Sequence, residues 1–325
     1  MQSTAKALPK VTVQVLHWRG LEKTRACLQS LMAVDYANLN ILLVANGAEA
    51  GDAKVMKAEF PGIDLLELDQ NYGFAGGSNR GLKHAIEAGA DFVWLLNNDA
   101  TVPPETLAAL IQIAMANPGA GALGATVLEG LSVNKSAEEQ ATDIAGVGAI
   151  NYGKAKTYLR KLPGTFGGEG VQTFHRCDWL SGSNLLLRTS ALAKIGLFDE
   201  RYFLYFEDVD LCLRLGRAGF ACLLVPGSTV VHEGNASTQG GLSLWRAYYH
   251  TRNRLLFFMS NAPAAMRPLA FLAILGHFAR HSIALPFRGK KGQAKLYAEW
   301  LGLRDYFKGR VGQATCLDWC EKIDL

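Results

Sequence analysis

What most restricts the fold of this chain is the order of its first 130 residues, where short β-rich runs alternate with helical patterns. The runs are Val11–Leu16, Ile41–Ala45, Ile63–Leu68, Phe92–Leu96 and Ala120–Leu128. Between them the spacing predicts helices over Glu22–Met32, Asp52–Glu59, Ser78–Ala88 and Pro104–Ala116, the last opening on a proline that suits a first helical turn. Strands separated by helices pair in parallel through crossover connections, which makes this an α/β half of the nucleotide-binding type. From 130 to 176 the period is lost and glycine and polar residues increase, the pattern of an insertion or lid. Order returns with an expected strand over Ser183–Arg188, a helix over Glu207–Gly219 and a strand over Ala221–Val225 stopped by Pro226. There is no internal repeat.

The composition supports a globular chain: 325 residues, 49% hydrophobic, with 34 glycines, are enough to bury a full core. Lys and Arg exceed Asp and Glu by 33 to 29, a formal charge of +4, which favours anionic ligands without marking a nucleic-acid binder. Met1 to Lys10 lacks the apolar core of a secretory signal, so the expected location is the cytoplasm. In that setting Cys27, Cys177, Cys212, Cys222, Cys316 and Cys320 read as reduced, mostly buried thiols, and the helix-face pair Cys316 and Cys320 has no nearby His or Cys with which to build a metal site. After Gly241 the chain reads as helical. Its uncharged runs Leu255–Met266 and Pro268–Ala279 are each too short to span a bilayer. Arg267, Arg280, Arg288, Lys290, Lys291 and Lys295 flank or follow them, which fits helices lying on the inner face of the cytoplasmic membrane. An appendage that packs on the core, or on a second copy in a homodimer, fits the same pattern.

Four clusters carry chemistry. Asn97, Asn98 and Asp99 follow the fourth strand, at the end of a parallel sheet where ligands bind, and a carboxylate there can hold a hard divalent cation; the same residues are also ordinary turn formers. Glu207 and Asp208 follow the aromatic run Phe203 to Phe206, so partial desolvation can raise a carboxylate toward useful basicity. Asn71, Gly73, Gly76, Asn79 and Gly81 make a glycine-rich helix entry that lets backbone approach phosphate or sugar oxygens, or simply a tight turn. His232, at a strand end before Glu233 and Gly234, is a candidate to complete a metal's coordination. No Gly-x-Gly-x-x-Gly follows the first strand, where His17, Trp18, Arg19 and Gly20 stand, and no Walker-type loop occurs, which removes the main support for dinucleotide oxidoreductases and triphosphatases.

In this order the segments from about Val11 to about Phe257 resemble the family 2 glycosyltransferases, the inverting enzymes of GT-A fold, and among them the rhamnosyltransferase-like branch. The resemblance implies a nucleotide-diphospho-sugar transferase domain over 1–240, with 130–176 as insertion or lid, and a helical extension over 241–325. It implies Asp208 as catalytic base, Asp99 and His232 as ligands of Mg2+ or Mn2+, and donor contacts from His17, Trp18, Asn46, Asn71, Gly73, Gly76, Asn79, Asn97 and Asn98. Trp179, Ser181, Gly182 and Glu207 fall on the acceptor side, while Tyr249, Arg252, Asn253 and Arg254 resemble a segment that follows the catalytic core. The implied partners are a dTDP-, UDP- or GDP-linked sugar and a glycan or lipid-linked acceptor. One position departs from the pattern: Ala45 stands where an aspartate usually precedes the asparagine, leaving open whether Asn46 substitutes or donor preference differs. Competing readings are a non-catalytic sugar-nucleotide binding module and a nucleotidyltransferase, though His17 to Gly20 is too short to hold a triphosphate.

Overall fold

The computed structural model describes residues 8–129, 146–161, 174–232 and 241–315. Cys316, Cys320, Glu233, Gly234 and most of the expected lid lie outside the described residues. Strands β1 (Val11–His17), β2 (Leu39–Asn46), β3 (Asp64–Leu68) and β4 (Phe92–Asn97) pair in parallel in the order 3-2-1-4. Helices α1 (Leu21–Met32), α2 (Asp52–Glu59) and α3 (Gly73–Glu87) make the crossovers. Helices cover the sheet on both sides at β1, β2 and β4, where Val11, Val13, Val15, Leu42, Leu43 and Val44 are all solvent-free and even Thr12 and Gln14 of β1 are buried; β3, at the edge, stays partly exposed.

Beyond β4 come a two-residue strand β5 (Ala100–Thr101), helix α4 (Thr106–Ala116) and β6 (Ala120–Glu129). The sheet then continues through β10 (Asn184–Arg188), antiparallel to both β4 and β6, and β11 (Ala221–His232), parallel to β6. β11 does not stop at Pro226 as expected. The strand runs on to His232 through a register shift between Val225 and Thr229, and a proline that can donate no ladder bond is tolerated at such a bulge. Part of the stretch expected as aperiodic is sheet as well. β7 (Gly146–Asn151) and β8 (Lys156–Lys161) form an antiparallel hairpin, and β9 (His175–Cys177) adds to β11. Helix α3 begins at Gly73, five residues before the expected Ser78: packing outweighs the poor helix propensity of its glycines, since a Cβ on Gly77 or Gly81 would come within 2.8 Å of Asn46 or 2.5 Å of Gln14.

Two short helices, α5 (Thr189–Ile195) and α6 (Glu207–Arg217), flank the sheet. After β11 come α7 (Gly241–Asn261), α8 (Arg267–Ala284) and α9 (Gly289–Phe307). These three helices share their cores with the segment leading into α6 and its first turn: one cluster joins Tyr202, Phe206 and Val209 to Leu255, Phe257 and Phe258, and another joins Phe203 to Leu244, Tyr248, Tyr249 and Leu301. The uncharged run Leu255–Met266 is split by the end of α7 and a 3-10 turn over Ala264–Met266. No single helix among the described residues is long and apolar enough to cross a membrane; Ala264–Ala284 and Pro286–Phe307 meet that length and composition only as a pair bent by 46°.

Candidate active site

The sheet changes direction between β1, which leads to β2 and β3, and β4, which leads to β10. Crevices at the carboxyl ends of such strands are where α/β sheets bind ligands. Here those ends bring together Trp18, Asn97, Asn98 and Asp99, all partly accessible. Asn98 donates from Nδ2 to the carbonyl of Arg19 and to Thr24 Oγ1, both at 2.9 Å, fastening the turn after β4 to the start of α1. Asp99 Oδ1 lies 2.9 Å from His232 Nε2, because β5 pairs with the end of β11 and sets Ala100 opposite His232. The Asn97 amide is 3.4 Å from the same ring nitrogen. Burial alone would raise the Asp99 carboxyl, but the bond from His232 and the charge of Lys23 outweigh it and hold the group below its usual range.

The second acidic cluster follows a strained turn. Phe203, Tyr205 and Phe206 all take φ between 63° and 75°, the left-handed region that costs a bulky residue about 1 kcal/mol or more. Helix α7 holds the turn in place. Asn253 Nδ2 donates to the carbonyls of Tyr202, Leu204 and Tyr205 at 2.8–2.9 Å, while Arg252 donates to those of Arg201 and Tyr202 and to Asn253 Oδ1. The turn delivers Asp208 so that its Oδ2 accepts the Gly182 N–H at 3.0 Å and its Oδ1 the Val209 N–H at 2.8 Å. Next in the chain, Ser183 offers its carbonyl to the Asn97 N–H at 3.0 Å. A continuous run of contacts therefore leads from Asp208 through residues 182–183 to Asn97, two positions before Asp99.

The two carboxyls of the pair differ. Glu207 is buried and its Oε2 has no hydrogen-bond partner among the described residues. Burial pushes its carboxyl far up, and the charge of Asp208 pushes it further. Burial raises Asp208 too, but the Gly182 and Val209 N–H groups favour its charged form. Glu207 therefore keeps its proton longest and Asp208 is the carboxylate of the pair. Its aim is the Gly182 loop, where Ser181 is exposed and its hydroxyl meets that of Ser183 at 2.9 Å.

Other residues expected at the site lie in its walls. His17 is solvent-free, with its ring nitrogens on Thr24 Oγ1 at 2.7 Å and Asp52 at 3.1 Å. Asn46 donates to Asn71 and to the Gly73 carbonyl and accepts the Tyr72 N–H, so every polar atom that could replace the missing aspartate at Ala45 already fixes the start of α3. Asn79 bonds both main-chain groups of Phe198 and reaches Glu200. Gly73 and Gly76 are required by close approach: a Cβ there would meet Phe203 O at 2.4 Å and Tyr72 Cβ at 2.9 Å. Trp179 donates to the Ala149 carbonyl at 3.2 Å and anchors the β7–β8 hairpin. Glu207, expected toward the acceptor, is likewise internal. Two contributors were not singled out from the sequence, Lys23 beside Asp99 and Trp245 of α7, whose ring lies 6.1 Å from that of Trp18, and the Arg252–Asn253 pair was named without its role in holding the turn. The only sequence signal for the pair was its place in the Tyr249–Arg254 segment.

Residues 9–255 match the model of a family described as glycosyltransferase like family 2. The chain is 34% identical over 243 residues, 71% of its length and 77% of the other protein's, to the N-acetylglucosaminyl-diphospho-decaprenol L-rhamnosyltransferase of Mycobacterium tuberculosis. Among solved structures, it resembles the mannosyltransferase PcManGT of Pyrobaculum calidifontis in complex with GDP-Man and Mn2+, with a TM-score of 0.57 at 15% identity, covering 94% of this chain and 88% of that one. It also resembles GalNAc-T7 with UDP, GalNAc and Mn2+, at a TM-score of 0.58 and 12% identity, covering 82% of this chain and about half, 54%, of that one. At such identities these two likenesses show the fold alone, the GT-A type.

Proposed function

The chain belongs to glycosyltransferase family 2, and from that premise we propose that it moves rhamnose from a nucleoside-diphosphate donor to a hydroxyl of a lipid-linked glycan, with inversion, at the inner face of the cytoplasmic membrane. The choice of sugar and acceptor follows the activity for which the mycobacterial relative is named. The observation that supports the mechanism is the run of contacts from Asp208 through Gly182 and Ser183 to Asn97, two positions before Asp99. Asp208 takes the proton of the acceptor hydroxyl as its oxygen bonds to the anomeric carbon, and the bond from that carbon to the diphosphate breaks on the opposite face. Burial above the ordinary carboxylate range makes Asp208 a better base, and the two backbone N–H groups keep it charged. Glu207, holding its proton, adds no second negative charge beside the base.

Asp99 and His232, with the Asn97 amide, are the groups that would hold a divalent cation. One carboxylate, one imidazole and one amide side by side suit Mn2+ or Mg2+ when a diphosphate supplies further oxygens; no group of three His, Cys, Asp or Glu side chains gathers among the described residues. When bound, such an ion offsets the charge of the departing diphosphate. Trp18 and Trp245 offer an aromatic rim beside that crevice for the donor's base or sugar.

A thermal-shift panel of dTDP, UDP and GDP, each with and without Mn2+, reads the donor side, since a ligand bound only by the folded state raises its stability. A product assay with dTDP-rhamnose and a polyprenyl-diphosphate N-acetylglucosamine acceptor reads transfer. No transfer with that donor, together with transfer from another, would overturn rhamnose; no transfer from any donor would overturn the reading as a whole.

A further inference from the structure

The helices after β11 enclose a groove that neither the fold nor the transfer chemistry requires. Between α7, α8 and α9 lies a cavity of about 370 Å3, lined among others by Arg246, His250, Arg254, His277 and Lys295. A second, of about 710 Å3, shares His250, Arg254 and His277 and adds Arg280 and Lys154. Both fall within the roughly 300–1,000 Å3 of small-ligand sites. The one carboxylate lining them, Glu299, is taken by His281, whose Nδ1 lies 2.9 Å from both oxygens. Among the described residues no carboxylate pairs with Arg246, Arg280 or Lys295. The field of these cations is felt locally: burial, followed by Arg254 and neighbouring positive groups, pushes the His250 ring down to about 4. A cavity with this surplus of positive charge is built for an anion carrying several oxygens.

Its position says which anion. The His250 ring faces Phe206 edge-on at 5.2 Å, and Phe206 is the residue immediately before the Glu207–Asp208 pair. Phe206 also lines the larger cavity, so the groove reaches to within two positions of Asp208 along the chain. On the other side, Leu269, Leu272 and Ile283 are 53%, 63% and 71% exposed and fall on α8 at helical spacing with Gly276 and Arg280, which line the groove. Phe287, in the turn just after α8, is 88% exposed.

We propose that this groove is the subsite for the diphosphate of a lipid-linked acceptor, whose lipid lies along the exposed stripe of α8 and whose sugar reaches Asp208 past Phe206. The proposal rests on the acceptor reading above and adds where that acceptor is held. Positive charge, an apolar margin and a wall formed by Phe206, two positions before the base, together fit that one ligand, whereas a free nucleotide would use only the first.

The test compares the wild-type chain with Arg246→Gln/Lys295→Gln and with Asp99→Asn as a donor-side control. Titration with inorganic pyrophosphate should show a component that weakens by roughly tenfold for each cation removed and survives in Asp99→Asn. Vesicles of phosphatidylcholine carrying a polyprenyl diphosphate should retain the wild-type chain better than vesicles with phosphatidylglycerol of equal charge, and the double variant should lose that preference. In the transfer assay the double variant should raise the acceptor KM by tenfold or more while nucleoside-diphosphate affinity stays. Unchanged pyrophosphate affinity in the double variant, or transfer with an unchanged acceptor KM, overturns the subsite and leaves the transferase reading standing. Equal retention on both vesicle types also overturns it, making the groove a general anionic-headgroup contact. Loss of pyrophosphate binding and of the vesicle preference in a chain that transfers no sugar would keep the subsite and sink the transferase reading instead.

Discussion

Replacing Asn253 with alanine should cost both stability and turnover, although Asn253 lies 45 positions after Asp208 and on another element. Its amide spreads two protons over the carbonyls of Tyr202, Leu204 and Tyr205, and its oxygen accepts from Arg252. Taking three effective bonds at about 1 kcal/mol each, the loss is roughly 3 kcal/mol. For a chain of 325 residues, an unfolding entropy of about 2.1 cal/mol/K per residue gives roughly 0.7 kcal/mol/K, so the midpoint should fall by about 4 °C. The freed turn can also relax its left-handed aromatic residues and carry Asp208 away from Gly182. A displacement near 1 Å at a reacting group costs about 100-fold in turnover. Scanning fluorimetry and initial rates on the same preparation read both effects. A midpoint within about 1 °C of wild type, with turnover within about threefold, would show that α7 does not hold the turn and would refute the reasoning.

Asp208→Asn should lower turnover by roughly two to four powers of ten while leaving the melting midpoint near wild type, and near-wild-type rates would remove Asp208 from the mechanism. Asp99→Asn should abolish the extra stabilisation that Mn2+ gives in the nucleoside-diphosphate thermal shift, and activity that survives exhaustive chelation would rule out the metal role of Asp99. The pH profile should separate the two acids of the pair. Because burial raises Asp208 and the base must be ionised, kcat/KM should fall as pH drops through a value above the ordinary carboxylate range. Glu207, raised further by burial and by Asp208, contributes stability that is present at low pH and lost as pH rises through its raised value. Glu207→Gln should therefore melt higher than wild type at alkaline pH and keep the acidic limb in place; a limb that moves would reverse which carboxyl holds the proton.

The first four strands could be read to within two residues of their ends: β4 and most of β2 are continuous apolar runs because both faces are covered, while β1 and the edge strand β3 show through their β-rich residues between helical patterns. Elsewhere local signals pointed away from the fold. Pro226 reads as a stop until a bulge absorbs it, and Gly73 to Gly77 read as a helix entry or a tight turn ahead of a helix at Ser78 until close approach to Asn46 and Phe203 gives a glycine-rich first turn its reason. At the site, the acids at the strand and helix ends could be picked out by type and place, but that Asp99 meets His232 and that Asp208 accepts from Gly182, both partly buried, is visible only in the structure. What could not be read was which polar side chains spend their bonds inward. His17, Asn46 and Asn79 have the residue types of ligand contacts, yet their partners, Thr24, Asn71 and Phe198, come together only in three dimensions. The Arg252–Asn253 pair was marked by resemblance, but its role was hidden for the same reason, since nothing local to a helix tells which distant carbonyls it serves.

The hold of α7 on the turn at Tyr202–Phe206 bears on how enzymes of this kind can be recombined. A chimera cut at the end of β11, giving this α/β half the trailing helices of another parent, would separate three carbonyls from the amide that matches them. The exchange can succeed only if residues 202–206 and 252–253 travel from the same parent, so the seam that protein engineers would draw between catalytic half and tail runs instead through the middle of both.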